Sequence, residues 1–171
     1  MRYTSNYKNL QQELHNRNCG YGASGYKHAQ HVLDLAKRLE TRSVLDYGCG
    51  MQTLQKAIPF AITNYDPMIK GLDEEPEPHD LVVCSDVLEH IEPDCLDDVL
   101  RHLHEKTRKM LFVDVAQRPA KKELANGQNA HLIQETTVWW LHQLMQYFEP
   151  VSLQSYGGGF VAAFTPVVRR A

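Results

Sequence analysis

Short runs of consecutive apolar residues alternate along this chain with segments in which apolar residues recur every three or four positions. The first pattern is typical of strands buried on both faces, and the second is typical of amphipathic helices. The predicted strands lie at 43–47, 61–65, 81–85 and 110–115. The predicted helices lie at 26–40, 52–58, 96–103 and 136–148. This alternation predicts an α/β fold, a doubly wound and mostly parallel sheet.

The two ends of the chain carry a different pattern. Residues 1–25 are polar and aromatic with a cluster of glycines, which predicts a short helix followed by a flexible loop. At the other end, 151–156 and 160–165 are predicted strands, and the three glycines between them indicate an antiparallel hairpin. Two helix caps are also predicted, Asp94 for the helix at 96–103 and Thr136 or Thr137 for the last helix.

Composition places the chain among ordinary globular proteins. With 171 residues it is long enough for one domain, which we expect to span 1–171 with 1–25 as an N-terminal lid or loop. Its hydrophobic fraction is 43% and its charged fraction 23%, as in typical soluble domains. The formal net charge of −3 gives no overall attraction to nucleic acid or to acidic membranes.

Cysteine usage and hydropathy predict a cytoplasmic location. Cys19, Cys49, Cys84 and Cys95 show no CxxC spacing, so we interpret them as reduced thiols. No apolar run approaches the ~18 residues of a membrane span, and the N-terminus carries no signal-peptide pattern. We therefore expect no association with a membrane.

The most informative segment is SVLDYGCG at 43–50. It reads as a strand that contains Asp46 and ends in a turn with Gly48 and Gly50. Such a turn before a helix lets backbone N–H groups approach a ligand, and it places the positive end of the helix nearby. The third glycine of a dinucleotide-binding G-x-G-x-x-G is missing, which argues against a nicotinamide or flavin dinucleotide.

This segment resembles motif I of the class I S-adenosylmethionine (SAM) dependent methyltransferases, whose consensus is close to VLDxGCGxG. Met51 and Gln52 stand where the last glycine of the consensus would be. The resemblance covers about 40–165, and it implies a Rossmann-like fold, SAM as the cofactor and a methyl-transfer activity. It also implies that Asp46 and the turn hold the methionine end of SAM and that Asp66 binds the ribose hydroxyls.

Several strand ends are expected to meet at the cofactor site, because ligands bind at the carboxyl ends of parallel strands. The residues predicted to bind the cofactor are Asp46, Gly48, Cys49, Gly50, Gln52, Asp66, Pro67, Ser85 and Asp86.

The connection between the second and third strands is unusually short. It has fourteen residues, 67–80, where the family normally fits a helix, a further strand and an adenine-reading residue. We therefore predict a sheet that is one strand narrower. The adenine must then be contacted from elsewhere, by Met68, Ile69 or the acidic loop.

A second motif, DLVVCSDVLEHI at 80–91, resembles the fourth strand and following turn of many small-molecule methyltransferases. If a helix begins here, Asp86, Glu89 and His90 lie on one face, since they are spaced i, i+3 and i+4. The pattern is similar to the E-x-x-E-H site of ubiquinone-type O-methyltransferases and of small-RNA 2′-O-methyltransferases. The RNA enzymes add a histidine after the next strand, and His131 occupies a comparable place.

This motif has two interpretations. In the first, Asp86, Glu89, His90 and His131 hold Mg²⁺, Mn²⁺ or Zn²⁺, which coordinates the acceptor oxygen and lowers its pKa. In the second, Asp86 or Glu89 caps a helix and His90 packs or acts as a general base. The candidate catalytic residues are Glu89, His90 and His131.

Other candidate residues flank the presumed cleft. Arg118, Lys121 and Lys122 form a basic cluster that either holds an acidic group of the substrate or is a solvated surface. In the N-terminal segment, a lid over the site or a surface loop is expected to contain Tyr21, Tyr26, Lys27 and His28. At the start of the last helix, either the acceptor pocket or the core is expected to contain Trp139 and Trp140.

The predicted function is SAM-dependent methyl transfer to an oxygen or nitrogen of a small molecule. One alternative is an RNA-directed, metal-assisted 2′-O-methyltransferase, which the ExxEH-like pattern and the basic cluster favour. Another is a SAM-binding subunit without its own activity, which the reduced segment 67–80 favours. The protein is expected to be a monomer or a homodimer, since a short uncovered sheet edge permits pairing.

Overall fold

The structure, a computed structural model, describes residues 1–17 and 20–168. Its strands are β1 (Val44–Tyr47), β2 (Thr63–Tyr65), β3 (His79–Ser85), β4 (Thr107–Ala116), β5 (Phe148–Tyr156) and β6 (Gly159–Pro166). Its α-helices are α1 (Ser5–Arg17), α2 (Ala29–Arg38), α3 (Thr53–Ala57), α4 (Leu96–Lys106) and α5 (Thr137–Leu144). None of the described helices is long and apolar enough to cross a membrane.

The six strands form one sheet in the order β2-β1-β3-β4-β6-β5. The first four strands are parallel, and β6 is antiparallel to both β4 and β5. This arrangement confirms the predicted doubly wound sheet with its C-terminal hairpin. It also explains why β3 and β4 read as continuous apolar runs, because a central parallel strand is covered on both faces.

Helices cover both faces of the sheet. On one face, α4 and α5 bury Leu100 and Trp140 against the strands. On the other face, α2 and α3 bury Val32 and Leu54. Alternate residues of each strand enter the two cores, as Val82 and Val83 do on β3, which follows from the two-residue period of a strand.

Several element ends differ from the prediction, two of them at the helices α5 and α4. Phe148 begins β5 and does not end α5, because Glu149 precedes Pro150 and a residue before proline favours extended backbone. The predicted cap Asp94 lies inside a 3₁₀ turn, Pro93–Cys95, and Cys95 takes the N-cap position of α4. The predicted cap Thr136 is confirmed, since its side chain accepts a hydrogen bond from the N–H of Trp139.

The segment between β2 and β3 contains no helix and no strand, so that β2 is an edge of the sheet. Glu75 anchors this loop to the rest of the protein. Its carboxylate accepts hydrogen bonds from Arg2 at 2.8 Å and from His102, and it pairs with Lys106 at 2.9 Å. Although burial alone would raise the pKa of Glu75, these hydrogen-bond donors lower it to about 2.

The two edges of the sheet are unequal. The edge strand β2 has three residues, whereas the opposite edge strand β5 has nine, of which only Phe148 is buried. Val151 and Leu153 are among the exposed side chains of β5. Its pairing with β6 shifts register between Pro150 and Ser152.

The Glu75 contacts make a testable contribution to stability. We expect Glu75→Gln to lower the free energy of unfolding at neutral pH by no more than about 1 kcal/mol, because the carboxylate is half exposed. Because the pKa of Glu75 is lower in the folded than in the unfolded protein, its ionised carboxylate stabilises the fold at pH values above the unfolded pKa of 4.5. This stabilisation is lost as the pH falls from 4.5 towards the folded pKa of about 2. Urea denaturation should therefore show the difference shrinking in that range. Glu74→Gln is the control, and an equal loss there would contradict the assignment.

Candidate active site

A cavity of about 730 Å³ lies at the carboxyl ends of the parallel strands. Most of the residues predicted to form the site line it. These are Asp46, Gly48, Cys49, Gly50, Asp66, Pro67, Ser85, Asp86, His90 and His131. Two predicted residues do not line it, Gln52 and Glu89. Gln52 is the N-cap of α3 with a left-handed backbone, φ 56°, and Glu89 is fully buried next to the cavity lining.

The glycine turn packs more closely than a side chain would allow. A Cβ atom on Gly48 would lie 2.3 Å from a methyl carbon of Val87, and one on Gly50 would lie 2.6 Å from the carbonyl oxygen of Gly22. Both glycines have positive φ, 79° and 48°, which favours glycine further. Glycine is therefore required here so that the turn can contact both Val87 and the segment that contains Gly22.

The N–H groups of this turn are bonded within the protein. Those of Gly48 and Cys49 donate to the carbonyl of Tyr65, and that of Gly50 donates to the Asp66 carboxylate at 3.0 Å. The next N–H group, of Met51, donates to the carbonyl of Gly22 at 2.9 Å. The expectation that these N–H groups face a ligand is thus not met, and the turn contributes its shape to the cavity.

Two buried carboxylates line the cavity beside the turn. Burial, reinforced by the charge of Asp66, raises the pKa of Asp46 to about 7. Burial also raises the pKa of Asp66, against the hydrogen bonds it accepts from the N–H groups of Met68 and Gly50. A cation bound here would favour the ionised form of both groups.

The N-terminal segment covers the cavity, and its first part is a 13-residue helix where a short one was predicted. On α1, Tyr7 donates a hydrogen bond to the carbonyl of His90, and Gln11 accepts one from Tyr21 at 2.9 Å. Of the predicted lid residues, Tyr21, Lys27 and His28 line the cavity. The remaining one, Tyr26, does not line it and is 56% exposed.

Glu89, His90 and His131 form a cluster in which one potential ligand atom of each lies within 4.8 Å of the others. The Glu89 side chain is fully buried. One of its oxygens accepts the N–H of Ala116 at 2.9 Å, and the other has no hydrogen-bond partner among the described residues. Burial, with the charge of Asp86, raises the pKa of Glu89 well above its ordinary value.

Both histidines of this cluster are held through Nδ1. That of His90 lies 2.7 Å from the carbonyl oxygen of Ala130, and that of His131 lies 2.7 Å from the carbonyl oxygen of Arg118. Because a carbonyl only accepts, each Nδ1 carries the proton and each Nε2 keeps its lone pair. Burial and the neighbouring His131 lower the pKa of His90 to about 3.

Asp86 does not belong to the cluster. The helix considered as one possibility for 86–90 does not form, because Asp86 has a left-handed backbone, φ 54°, and Leu88–His90 is a 3₁₀ turn. The i, i+3, i+4 alignment of the prediction therefore does not apply. The N–H of Asp86 instead donates to the carbonyl of Asp114, which ties the end of β3 to β4.

The other residues that the sequence suggested for the site divide into those that line the cavity and those that do not. The basic cluster Arg118, Lys121 and Lys122 lines the cavity, as does Met68, whereas Ile69 does not. The two tryptophans belong to the core, with Trp140 fully buried and Trp139 packed at its edge. Three cysteines, Cys49, Cys84 and Cys95, are free and buried, and Cys19 lies outside the described residues.

Among the cavity-lining residues that sequence reasoning missed are two that are hydrogen-bonded to each other, Asp114 near the end of β4 and Tyr156 at the end of β5. Asp114 is 6% exposed. Its carboxylate lies 2.8 Å from Nε2 of His28 and accepts a hydrogen bond from the Tyr156 hydroxyl at 2.7 Å. No motif marks this set, and the only signal in the sequence is an aspartate inside an otherwise apolar strand.

The chain belongs to a known family. Residues 15–157 match the family model described as a methyltransferase domain. Together with the fold, this membership confirms the prediction of a class I SAM-dependent methyltransferase. No curated protein matches the chain in sequence.

Solved methyltransferases share this fold at low sequence identity. The 1,6-didemethyltoxoflavin-N1-methyltransferase of Burkholderia thailandensis, with 1,6-didemethyltoxoflavin and S-adenosylhomocysteine bound, aligns with a TM-score of 0.66 and 14% identity, over 95% of this chain and 90% of that one. The magnesium protoporphyrin IX methyltransferase of Synechocystis PCC 6803, with S-adenosylhomocysteine bound, aligns with a TM-score of 0.60 and 14% identity, over 87% of this chain and 84% of that one. An rRNA methylase from Escherichia coli aligns with a TM-score of 0.55 and 17% identity, over 82% of this chain and 64% of that one.

The close contact at Gly50 predicts a loss of cofactor binding. We expect Gly50→Ala to weaken SAM binding at least about tenfold, because the added carbon would displace the segment containing Gly22. Gly71→Ala is the matched control, since Gly71 also has positive φ, 88°, but has no atom within 4 Å of its Cβ position. Isothermal titration calorimetry with SAM measures both variants. Equal affinities would contradict a role for this contact.

Proposed function

We propose that this methyltransferase transfers a methyl group from SAM to an oxygen or nitrogen of a small-molecule acceptor. The observation that supports this most is the cavity, whose volume of about 730 Å³ is within the range of small-molecule sites. Residues of α1 and of the segment 20–25 line it, so that it is concave and covered. Such a site suits a cofactor and a compact acceptor together.

The residues beside the glycine turn fit SAM. When bound, SAM supplies a methyl carbon that is made electrophilic by the positive sulfur. Asp46 offers a buried carboxylate whose ionised form a nearby cation would favour, and SAM carries a positive charge. Each Asp66 oxygen already accepts one N–H and keeps a further lone pair for a ribose hydroxyl. On the same proposal Pro67, Ser85 and Asp86 complete the cofactor side.

The cluster of Glu89, His90 and His131 fits a divalent cation. One Glu89 oxygen is buried without a hydrogen-bond partner in the described part of the chain, and a cation would occupy that position and favour the ionised form of the carboxyl group. Both histidines donate Nδ1–H to backbone carbonyls, the usual arrangement of histidines that bind a metal through Nε2. The low pKa of His90 keeps it neutral at physiological pH, as a metal ligand must be. We therefore propose three ligands, without Asp86.

A cation bound there would act as a Lewis acid towards the acceptor oxygen. Residues of the chain position the N-terminal helix beside this cation site and provide its ligands. Tyr7 holds α1 beside the cavity through its hydrogen bond to the backbone carbonyl of His90. The low pKa of His90 makes it a poor general base, so a role as a ligand is favoured over proton abstraction.

An RNA-directed, metal-assisted 2′-O-methyltransferase is the second candidate. The cluster of Glu89, His90 and His131 favours it, because these residues correspond to the E-H pair and the later histidine of the pattern described for the RNA enzymes. The basic residues Arg118, Lys121 and Lys122 also line the cavity, where they could contact a phosphate. Against it stands the net charge of −3, which gives no overall attraction to a polyanion.

Transfer of labelled methyl from SAM into a fractionated cell extract tests the acceptor class. We expect label that survives nuclease treatment and runs with small metabolites. Label that is lost on RNase digestion would replace the leading proposal with the RNA-directed one. The absence of transfer by both the wild type and Glu89→Ala, with SAM binding intact, would indicate a SAM-binding subunit.

Metal titration of the chelator-treated protein tests the ligand set. We expect Glu89→Gln and His131→Ala to weaken Mn²⁺ or Zn²⁺ binding at least about tenfold, since each removes a ligand. Asp86→Asn should retain wild-type affinity. The exposed His142 on α5 provides the matched control His142→Ala. Wild-type affinity in Glu89→Gln, or a loss in Asp86→Asn equal to that of His131→Ala, would overturn the three-ligand proposal.

A further inference from the structure

Three polar side chains from distant parts of the chain meet on the cavity wall. His28 comes from the 3₁₀ turn Gly25–His28, Asp114 from β4 and Tyr156 from β5. In the sheet, β4 and β5 lie on one side of β3, whereas β1 and β2, whose ends carry most of the proposed cofactor residues, lie on the other. The three side chains therefore face the part of the cavity that is left for the acceptor.

The hydrogen bonds within this His28–Asp114–Tyr156 cluster converge on Asp114. The two Asp114 oxygens lie 2.8 Å from Nε2 of His28 and 2.7 Å from the Tyr156 hydroxyl. The Tyr156 hydroxyl donates to one Asp114 oxygen, and Nε2 of His28 lies against the other, to which it donates when it carries the ring proton. The tyrosine oxygen keeps its own lone pairs, and these can accept a hydrogen bond from a bound molecule.

The tyrosine is the accessible member of the cluster. His28 and Asp114 are 8% and 6% exposed, whereas Tyr156 is 42% exposed and lines the cavity. Its hydroxyl rests over Gly159, where an added Cβ would lie 2.4 Å from the hydroxyl oxygen. A glycine is thus needed for the hydroxyl to reach Asp114.

Burying an aspartate and a histidine is costly, even when they are paired. The cluster holds the N-terminal segment and the β5–β6 hairpin to β4, but apolar packing would achieve the same. Polar side chains at these three positions are explained if the cluster acts on a molecule in the cavity. The other acid on this side, Glu89, is fully buried and absent from the cavity lining.

We propose that the His28–Asp114–Tyr156 cluster binds the nucleophilic O–H or N–H group of the methyl acceptor and takes up its proton. Tyr156 is the catalytic residue, because it touches the acceptor, and Asp114 and His28 position it. This inference rests on the proposed function, and it names the acceptor's reacting group as one that carries a hydrogen.

The step balances in atoms and charge. A lone pair of the acceptor atom bonds to the methyl carbon, and the carbon–sulfur electron pair stays on sulfur. The acceptor's proton passes to the Tyr156 oxygen while the Tyr156 proton passes to Asp114. The sulfur loses its positive charge, and the carboxylate loses its negative charge.

Tyr156→Phe tests the proposal, with Tyr147→Phe as a matched control. Both substitutions remove a hydroxyl that donates to an aspartate at 2.7 Å, and the partner of Tyr147 is Asp97 on α4. The assay follows labelled methyl from SAM into the small-molecule fraction of a cell extract. We expect Tyr156→Phe to lower kcat on the order of 100-fold or more, with SAM affinity and unfolding temperature unchanged. Tyr147→Phe should stay within about twofold of wild type.

Variants of His28 separate positioning from simple packing. His28→Gln retains an N–H donor to Asp114 and should retain most of kcat, whereas His28→Leu should lose as much as Tyr156→Phe. A Tyr156→Phe enzyme with near wild-type kcat, or with losses in SAM affinity that account for its lower rate, would overturn the proposal. Wild-type protein that transfers no methyl into this fraction would instead refute the proposed function.

Discussion

The cavity depends on one close backbone approach, that of Gly50 to Gly22. In the turn after β1, the N–H of Gly50 donates a hydrogen bond to Asp66 and the N–H of Met51 donates one to the carbonyl of Gly22. The turn therefore joins the end of β2 to the N-terminal segment. A side chain at Gly50 would separate these parts. The cofactor side and the cover of the cavity are therefore fixed by the same few atoms, and neither can move independently of the other.

The reduced connection between β2 and β3 changes how the cavity is completed. The sheet ends at β2, and a charged loop lies where the family normally has a helix and strand. Glu75 ties that loop to Arg2 and to α4, while α1 and Met68 contribute side chains to the cavity. The N-terminal segment thus lines the cavity together with the ends of the parallel strands.

Much of the fold could be predicted because its strongest signals are local. The apolar runs of β3 and β4 indicate strands covered on both faces, and SVLDYGCG indicates the turn. The ends of elements depend on backbone details that spacing does not carry, as the left-handed Asp86 shows. The contacts of Asp114 were also out of reach, since its partners are 86 and 42 residues away and meet it only through the order of the strands.

The narrowing of the sheet bears on whether its edge strands can pair with strands of other molecules. Losing a strand exposes a new row of N–H and C=O groups, and such rows recruit strands from other molecules. Here the newly outermost strand, β2, is three residues long and offers few of them. The long outer strand β5 is interrupted by Pro150, which lacks an N–H, and by a register shift beside it. The sheet therefore carries protection against intermolecular pairing on both sides, through brevity on one and irregularity on the other.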